Sequence, residues 1–540
     1  MEIIAIIYIA ICCLLLPFYQ LWQEYEGRGY PFIGLSVLFA GCLIVGGYPL
    51  PFDNITIATL SIALWLAASL LWGSHPHSLH ELFNWLSYLV LFTAARIVPI
   101  DFILLCVFAV GIIFALCQLY NQIVLKLVNP FFILGNPSHN SALMLSGLLA
   151  GIWLTGSALI DSTSASLIVL SILTIVTGIA IITTKSKGAI LSLFVSLLFM
   201  GIMLKNLIIL TPLFVMAIAG ITIFIKGKAA REWRLSCSWR ERLLIFGTAL
   251  TMIREKPIFG HGLQMFRKLM PFTVAKLYKS KWFGRQMEQR TLVCQDAIYA
   301  NKVHNDHLET IVELGLFGYI LFVYLFTQMT FDVYMTGFFI MAMTSSLTFF
   351  YFRNTHTAVP FWAIMGSATG IGASTESDSN MFILKVVGVA VLFVIIKHTF
   401  KKLTGMAYFS AAIINPDITA KINLTQKAID CDPDNGDYLN YYAYNAFAVR
   451  QPQTLFCIMK GIINYDGNRQ IWGLWDMFSR LIFNMDKIRM AEWGNINSRT
   501  FFPDYPASKE MTNNIETMKL VLGGKVKEAQ DRINLLQKGA

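Results

Sequence analysis

Long apolar runs dominate the sequence and leave few folds open to it. A bilayer-spanning helix needs about 20 apolar residues, and candidate segments of this kind cover residues 3–20, 31–49, 55–73, 83–99, 101–120, 138–159, 166–184, 188–204, 206–225, 311–329, 332–352, 359–375 and 380–397. The segment 359–375 fits least well, so the count is twelve or thirteen. Charged residues make up only 14% of the chain, too few to cover a water-facing surface of this size. The sequence therefore predicts an all-α, polytopic membrane protein.

The first apolar run starts at the amino terminus and ends at Leu16 and Pro17. No basic segment precedes it, and no small-residue cleavage site follows before Gln20. We expect a retained first transmembrane helix rather than a removed signal peptide.

The chain divides into four predicted regions. Residues 1–225 form the N-terminal transmembrane helices, 226–310 a large extramembrane loop, 311–402 the C-terminal transmembrane helices, and 403–540 a soluble helical domain. Two turn-then-helix patterns occur in this last region, at 428–441 and 522–529. They resemble tetratricopeptide-type hairpins, although another all-α domain remains open, and such surfaces usually bind partners.

Positive charge is concentrated in the predicted loop. Residues 226–310 hold sixteen Lys and Arg residues against seven acids, an excess of nine that nearly equals the net charge of +10 of the whole chain. A cationic loop beside a membrane suits an anionic ligand such as a pyrophosphate or an anionic lipid. The competing explanation is a cytoplasmic loop that follows the positive-inside rule. Neither explanation involves nucleic acid.

Four of the nine cysteines lie outside the predicted spans. They form two potential pairs, Cys237 with Cys294 and Cys431 with Cys457. An even number outside the membrane permits disulfides in an oxidising compartment, and four free thiols are the equal alternative. None has the CxxC spacing of a zinc site.

Four motifs stand out in the middle of the chain. They are Leu134-Gly135-Asn136-Pro137-Ser138-His139-Asn140-Ser141-Ala142; Thr183-Thr184-Lys185-Ser186-Lys187-Gly188-Ala189; the stretch from Arg242 through Ala249, Pro257, Gly260 and Gly262 to Phe266; and His304-Asn305-Asp306-His307-Leu308-Glu309 with Glu313, Gly315 and Gly318. In this order they resemble the O-antigen ligase and polymerase superfamily of bacterial inner membranes, over roughly residues 130–330. Lys187 stands where that family usually has Arg, and Phe246 where it often has Trp.

The resemblance implies a metal-independent, inverting transfer of a glycan from undecaprenyl pyrophosphate to an acceptor hydroxyl, without a cofactor. His304 is the candidate general base, because a histidine titrates near neutral pH. Arg242 is the candidate clamp for the pyrophosphate, since its planar fork matches phosphate oxygens. The structural alternatives are a capping histidine and an interfacial arginine that snorkels to water.

Further residues are candidates for substrate binding. Asn305 would cap the next helix or orient a substrate oxygen, and the others are Lys187, Arg267, Arg285, Arg290, Asn136 and Asn140. A metal site at His304, His307 and Glu309 is conceivable by spacing, but no further ligand cluster lies nearby. Glu309 is more simply a helix-start acid, and Gly315 and Gly318 are expected to allow close helix packing.

The side of the membrane rests on conflicting signals. With the amino terminus inside, nine spans place residues 226–310 in the periplasm, where the lipid-linked glycan is used, whereas their charge favours the cytoplasm. We side with the periplasm. Thirteen spans would put the tail there too. Lys397, Lys401 and Lys402 oppose this, while the tail cysteines and the use of an acceptor-binding domain favour it.

A soluble tail of this length suits a protein acceptor, so the expected function is that of a protein O-oligosaccharyltransferase acting on Ser or Thr of a pilin or periplasmic protein. Transfer to lipid A core and glycan polymerisation are the alternatives within the superfamily. A lipid-linked glycan transporter is the alternative outside it, but few spans hold the ionisable residues that transport pathways carry.

Overall fold

The structure is a computed structural model. It describes residues 2–15, 30–45, 53–73, 78–124, 137–161, 164–184, 186–205, 237–278, 302–329, 331–347, 351–370, 397, 400–402, 404–433, 435–449, 455, 458, 459, 462, 471–485, 487–501 and 506–538. In these residues all regular structure is helical. The predicted all-α class is thereby confirmed for the described part of the chain.

Thirteen labelled helices precede the tail. They are α1 (Glu2–Ala10, continued by a π-turn at Ile11–Leu15), α2 (Tyr30–Val45), α3 (Asn54–Ala68, continued by a 3₁₀ turn at Ser69–Leu71), α4 (Ser78–Ala95), α5 (Ile100–Ile123), α6 (Pro137–Asp161), α7 (Ser164–Thr183), α8 (Lys187–Met203), α9 (Cys237–Glu255), α10 (Met265–Tyr278), α11 (Asp306–Thr327), α12 (Val333–Ser346) and α13 (Thr355–Thr369).

Short polar side chains fix the starts of several helices. Asp53 accepts a hydrogen bond from the backbone amide of Thr56 at 2.8 Å, Asn305 from Leu308 at 3.0 Å, and Asp332 from Met335 at 2.7 Å. Each residue is extended and satisfies one of the free N–H groups of the first turn. These caps set the bounds of α3, α11 and α12.

The apolar helices give the chain the character of a membrane protein. Three are long and apolar enough to cross a bilayer, Asn54–Leu71, Ile100–Ile123 and Asp306–Thr327, and six shorter apolar helices accompany them. All nine overlap predicted spans. The predicted spans 206–225 and 380–397 lie outside the described residues, so the predicted total stays a prediction. Within the predicted loop, α9 and α10 are helical, and α11 begins at Asp306, before the expected boundary at 310.

Contacts between helix ends divide the bundle into two rims. The site rim comprises residues 69–81, 257–264, 302–314 and 351–355, where Ser78 Oγ donates to the carbonyl of Leu263 at 2.6 Å. The far rim holds Asp53, Arg96 and Gly370. There Arg96 forms an ion pair with Asp53 and donates to the carbonyl of Gly370 at 3.3 Å. Helices α3 and α4 therefore run between the two rims.

The tail is a set of packed helices with its own apolar core. They are α14 (404–414), α15 (Ile418–Cys431), α16 (Gly436–Ala448), α17 (Ile471–Phe483), α18 (Ile488–Phe501), α19 (Pro506–Leu522) and α20 (Val526–Lys538). Neighbouring helices α15 and α16, and α17 and α18, pack as pairs around Ile422, Tyr442, Leu474 and Phe478.

Two described contacts connect the tail helices to the residues that precede them. Lys402, just before α14, forms a buried ion pair with Asp432 at the end of α15. Helix α18 packs against α10, which follows the site-rim segment 257–264 directly. The tail therefore lies on the site-rim side of the bundle.

Candidate functional site

The site is built around the segment that leads into α11. Asn305 caps this helix and is buried, while His304 has a φ of 57°, in the left-handed region that few non-glycine residues adopt. Such a conformation costs about 1–3 kcal/mol and persists where the surroundings enforce it. Here the amide of Val303 donates to Glu309 Oε2 at 2.9 Å. This hydrogen bond fixes the residue before His304, as the cap formed by Asn305 fixes the residue after it.

Two cations lie near the imidazole of His304. Burial of the ring, followed by the positive charges of Arg242 on α9 and of Lys302, lowers the pKa of His304 to about 4. Each of these effects disfavours the protonated ring. At neutral pH His304 is therefore an uncharged imidazole beside the positive charges of Arg242 and Lys302.

A buried ion cluster lies behind this segment. Arg353, between α12 and α13, places Nη1 at 2.6 Å from Glu313, 2.9 Å from Glu309 and 3.9 Å from Glu81. Its guanidinium also lies 5.4 Å from the ring centre of Trp85. Since Glu309 holds both Arg353 and the amide of Val303, the cluster connects α13 to the His304 segment.

The cluster reaches further round the site rim. Lys302 interacts electrostatically with Glu81, which also accepts a hydrogen bond from Gln264. Asp306 accepts the amide of Phe352 at 2.7 Å through Oδ2. Buried charges are costly unless they are paired and hydrogen-bonded. The pairing of these groups therefore connects the four segments of the site rim to one another.

Helix α11 is interrupted at Gly315, which has φ 72° and ψ 178°. Residues 257–262, called the strap below, bind the backbone groups that the break exposes. His261 and Gly262 donate to the carbonyls of Val312 and Glu313 at 2.8 Å each, and Leu316 and Phe317 donate to the carbonyls of Pro257 and Ile258 at 2.8 and 3.2 Å. An irregular backbone at membrane depth needs such internal partners. The strap joins α9 to α10, so it couples the Arg242 helix to the His304 helix.

An apolar cavity of about 250 Å³ opens beside the site, along α11. Its walls are mostly aromatic, and its polar groups include Asp306, His307 and Thr310 near the site rim. The full lining is Trp85, Asp306, His307, Thr310, Tyr319, Phe322, Val323, Phe326, Thr327, Phe339, Met343, Phe352 and Trp362. The cavity suits an apolar chain whose polar end lies near the start of α11.

Of the predicted site residues, the structure brings His304, Arg242 and Asn305 together. Arg267 is also buried near the site rim, on the first turn of α10. Lys187 is exposed at the junction of α7 and α8. Of these two helices, α7 packs chiefly against α6, and α8 packs chiefly against α12. Asn140 is buried on the first turns of α6. Arg285, Arg290 and Asn136, and the cysteine partners Cys294 and Cys457, lie outside the described residues.

The conceivable metal site is not assembled among the described residues, where no group of three metal-binding side chains occurs. Instead, Nδ1 of His307 is hydrogen-bonded to Tyr319 Oη at 3.0 Å and its Nε2 to Ser346 Oγ at 2.6 Å, while Glu309 pairs with Arg353. The interpretation of Glu309 as only a helix-start acid is thus incomplete.

Sequence reasoning missed Arg353, Glu81, Lys302 and Gln264. Lys302 was counted only as part of the loop's charge. Arg353 carries a signal of its own, because it is an arginine between two apolar segments, and ionisable residues at such positions are rarely without a partner. The identity of its partners follows only from the fold, since they lie 40 to 272 positions away in the chain.

Comparison with protein families finds a match to the O-antigen ligase family over residues 152–323. The matched region runs from α6 to α11 and contains Arg242, the strap and His304. It supports the expected superfamily of O-antigen ligases and polymerases, whose members are glycosyltransferase-like and act on a lipid-linked glycan and an acceptor. Curated proteins and solved structures give no significant match.

Proposed function

We propose that the protein is a protein O-oligosaccharyltransferase of the bacterial inner membrane. It transfers a glycan from undecaprenyl pyrophosphate to a Ser or Thr hydroxyl of a periplasmic protein. The observation that carries the proposal is the neutral imidazole of His304 flanked by Arg242 and Lys302 at the start of a membrane helix.

In this mechanism His304 accepts the proton of the acceptor hydroxyl. The acceptor oxygen then bonds to the anomeric carbon, and the bond from that carbon to the pyrophosphate oxygen breaks. The electron pair leaves with undecaprenyl pyrophosphate, whose growing negative charge Arg242 and Lys302 stabilise. Removing water from such charges strengthens their attraction. Configuration at the anomeric carbon inverts, as the family resemblance implies.

A pKa of about 4 makes His304 a weak base in the empty site. Binding of the pyrophosphate adds negative charge beside Arg242 and Lys302 and so offsets their effect on the ring. The pKa of His304 then rises toward neutrality, where a general base is most effective. Donor binding would in this way activate the base.

The surroundings of the site agree with a lipid-linked donor and a large acceptor. The apolar cavity along α11 suits a polyprenyl chain. The tail lies on the same side as His304, which supports its use in acceptor binding and a periplasmic location. Gly370 lies at the far rim, whereas Lys402 forms an ion pair with the tail on the site-rim side. A total of thirteen spans agrees with this arrangement, because an odd number places the amino terminus and the tail on opposite sides of the membrane.

The ionisable cluster around Arg353 bears on the transporter alternative. Its charges pair with one another at one rim rather than following a path across the bilayer, as a transport pathway would require. This favours an enzyme. Lipid A core and a growing glycan remain the alternative acceptors within the superfamily.

The test is glycan transfer in a bacterial host that supplies the lipid-linked glycan and a pilin. Wild type is compared with His304→Ala and Arg242→Ala at equal membrane abundance, and Met490→Ala on the exposed face of the tail serves as the matched control. We expect glycosylated pilin with wild type and the control, and loss in both site variants.

Other results would change the proposal. Glycan on lipid A core instead of pilin would identify an O-antigen ligase. Full activity of His304→Ala would exclude the general-base role. Wild type that transfers glycan to no acceptor would favour the transporter.

A further inference from the structure

Glu81 is a buried acid to which the proposed transfer gives no role. It lies on the first turn of α4 and is only 5% exposed. A buried carboxylate costs free energy unless cations or hydrogen-bond donors satisfy it. The partners of Glu81 therefore indicate what this residue does at the site rim.

Arg353 accounts for little of the pairing of Glu81. Its Nη1 lies 2.6 Å from Glu313 and 2.9 Å from Glu309, but 3.9 Å from Glu81. Hydrogen bonds between a guanidinium and a carboxylate are about 2.7–2.9 Å long. The two glutamates of α11 therefore occupy this nitrogen, and Glu81 lies too far away to bond to it.

Lys302 is the stronger cationic partner of Glu81. Burial alone would raise the pKa of Glu81, but the charge of Lys302, followed by that of Arg353, outweighs burial and lowers the pKa. The attraction to Lys302 thus exceeds the attraction to Arg353. Glu81 belongs with the lysine beside His304 rather than with the arginine behind it.

The carboxylate of Glu81 is held in place by the segment that follows the strap. Gln264 donates a hydrogen bond to it, and Gln264 is itself buried, with a φ of 61° in the left-handed region. One turn of helix before Glu81, Ser78 Oγ donates to the carbonyl of Leu263 at 2.6 Å. These two hydrogen bonds fix the first turn of α4, and Glu81 with it, against residues 263 and 264.

Lys302 connects this fixed acid to the proposed reaction. Its positive charge acts on Glu81 and also on the imidazole of His304. A lysine side chain is flexible and strongly hydrated, so without a partner its ammonium turns toward water. Charges that are already in position when a leaving group departs stabilise the transition state most, because no reorganisation is needed. A fixed carboxylate beside Lys302 provides this order.

We propose that Glu81 is a positioning residue for glycan transfer, whose carboxylate, held by Gln264, keeps the ammonium of Lys302 beside His304 where the charge of the pyrophosphate develops. A carboxylate repels a pyrophosphate, so Glu81 acts through Lys302 and does not bind the donor. The inference rests on the proposed function. It extends the site to the start of α4, outside the region 152–323 that matches the family.

The experiment measures kcat and KM for undecaprenyl-pyrophosphate glycan with purified protein and the acceptor that wild type glycosylates in cells. Glu81→Gln is compared with wild type and with Glu255→Gln, a matched control because Glu255 also pairs with a lysine, Lys276, but at the surface. We expect Glu81→Gln to lower kcat about tenfold, a loss of about 1.4 kcal/mol, without raising KM. The control should equal wild type, since exposed ion pairs contribute little.

A double-mutant cycle with Lys302→Gln separates positioning from a general structural role. Residues that act through one another are not additive, so Glu81→Gln should lower kcat no further once Lys302 is replaced. Gln264→Ala is the milder second variant, because it removes the hydrogen bond and keeps the carboxylate. It should cause a smaller loss of kcat that also disappears in the Lys302→Gln background, and it decides the question alone if Glu81→Gln does not fold.

The other outcomes contradict the inference in distinguishable ways. Equal losses of kcat with and without Lys302 would show that Glu81 acts through the Arg353 cluster. A raised KM at unchanged kcat would make Glu81 part of donor binding. Wild-type kcat in Lys302→Gln would remove the role of the lysine and the inference, while the proposed function would stand. Wild type that transfers glycan to no acceptor would remove both.

Discussion

His304 experiences three effects that favour its neutral form: burial of the ring and the positive charges of Arg242 and Lys302. A buried histidine without these cations would also be neutral at pH 7, but it would have no groups to receive a leaving pyrophosphate. The combination is therefore what distinguishes a catalytic arrangement from a capping one. The cap of α11 is in fact supplied by its neighbour Asn305.

The pH dependence of transfer follows from this environment. The pKa of His304 in the free protein is about 4, and in the proposed mechanism the neutral ring is the active form. The value of kcat/KM should therefore stay constant from pH 7.5 downward and fall only near pH 4, rather than near the ordinary histidine pKa of about 6.5. In Lys302→Gln one positive charge is removed, the protonated ring becomes easier to form, and the fall should move to higher pH.

The measurement is kcat/KM for the donor between about pH 3 and 8 in detergent, a range that brackets the pKa of about 4 and the ordinary histidine value. As a control, each sample is held at acid pH and assayed after return to pH 7.5, which separates titration from inactivation. A fall near pH 6.5 in both proteins would contradict the described environment of His304.

At the scale of single residues, motifs with local spacing predict His304, Arg242 and Asn305 as candidates, and the structure places these three residues close together. Their roles in transfer stay a prediction. Lys302 and Arg353 were not assigned roles, because their importance comes from partners that only the fold brings close. The pairing of Arg353 with Glu313, 40 positions away, leaves no pattern in a single sequence.

The broken helix α11 and the strap form the element on which the site depends. Four backbone hydrogen bonds join the strap and α11, two donated by each, and Trp65 Nε1 donates to the carbonyl of Leu314 at 3.0 Å. The break turns the Glu309–Glu313 half toward Arg353, while the other half continues across the bundle. We expected Gly315 to permit close packing of helices. The structure instead shows it in the left-handed region, against the backbone of Ile258.

Gly315→Ala tests this element. Its φ of 72° with ψ of 178° lies in a region that essentially only glycine adopts, at a cost of about 1–3 kcal/mol for alanine, and the Cβ of alanine would collide with the carbonyl oxygen of Ile258. We expect a lower Tm of the purified protein and loss of transfer. Gly34→Ala in α2 is the matched control, because a Cβ there meets nothing within 4 Å, and it should leave both unchanged. Equal Tm values for the two variants would mean that the strap does not hold α11 in this conformation.

The helical elements themselves were largely predictable from apolar runs. Nine described apolar helices coincide with predicted spans, since the length of an apolar run is a local property. The strap was not predictable as a structural element, because its backbone partners lie more than 50 residues away.

At the scale of the whole molecule, the tail and the candidate site lie on the same side of the helical bundle. The buried pair of Lys402 with Asp432 fixes one part of the tail, and the packing of α18 on α10 fixes another. By the positive-inside rule, Lys397, Lys401 and Lys402 predict that the tail lies in the cytoplasm. Lys402 is instead used in an ion pair, so its charge carries less weight for orientation.

Transfer by the purified protein in lipid vesicles tests the central claim most directly. Wild type, His304→Gln and Arg242→Gln are supplied with undecaprenyl-pyrophosphate glycan and the acceptor, and donor binding is measured in parallel. We predict that His304→Gln binds the donor but transfers about 10²–10⁴-fold more slowly, while Arg242→Gln loses donor affinity as well as rate. Wild-type rates in His304→Gln would contradict a catalytic role for His304 and with it the proposed function of the site.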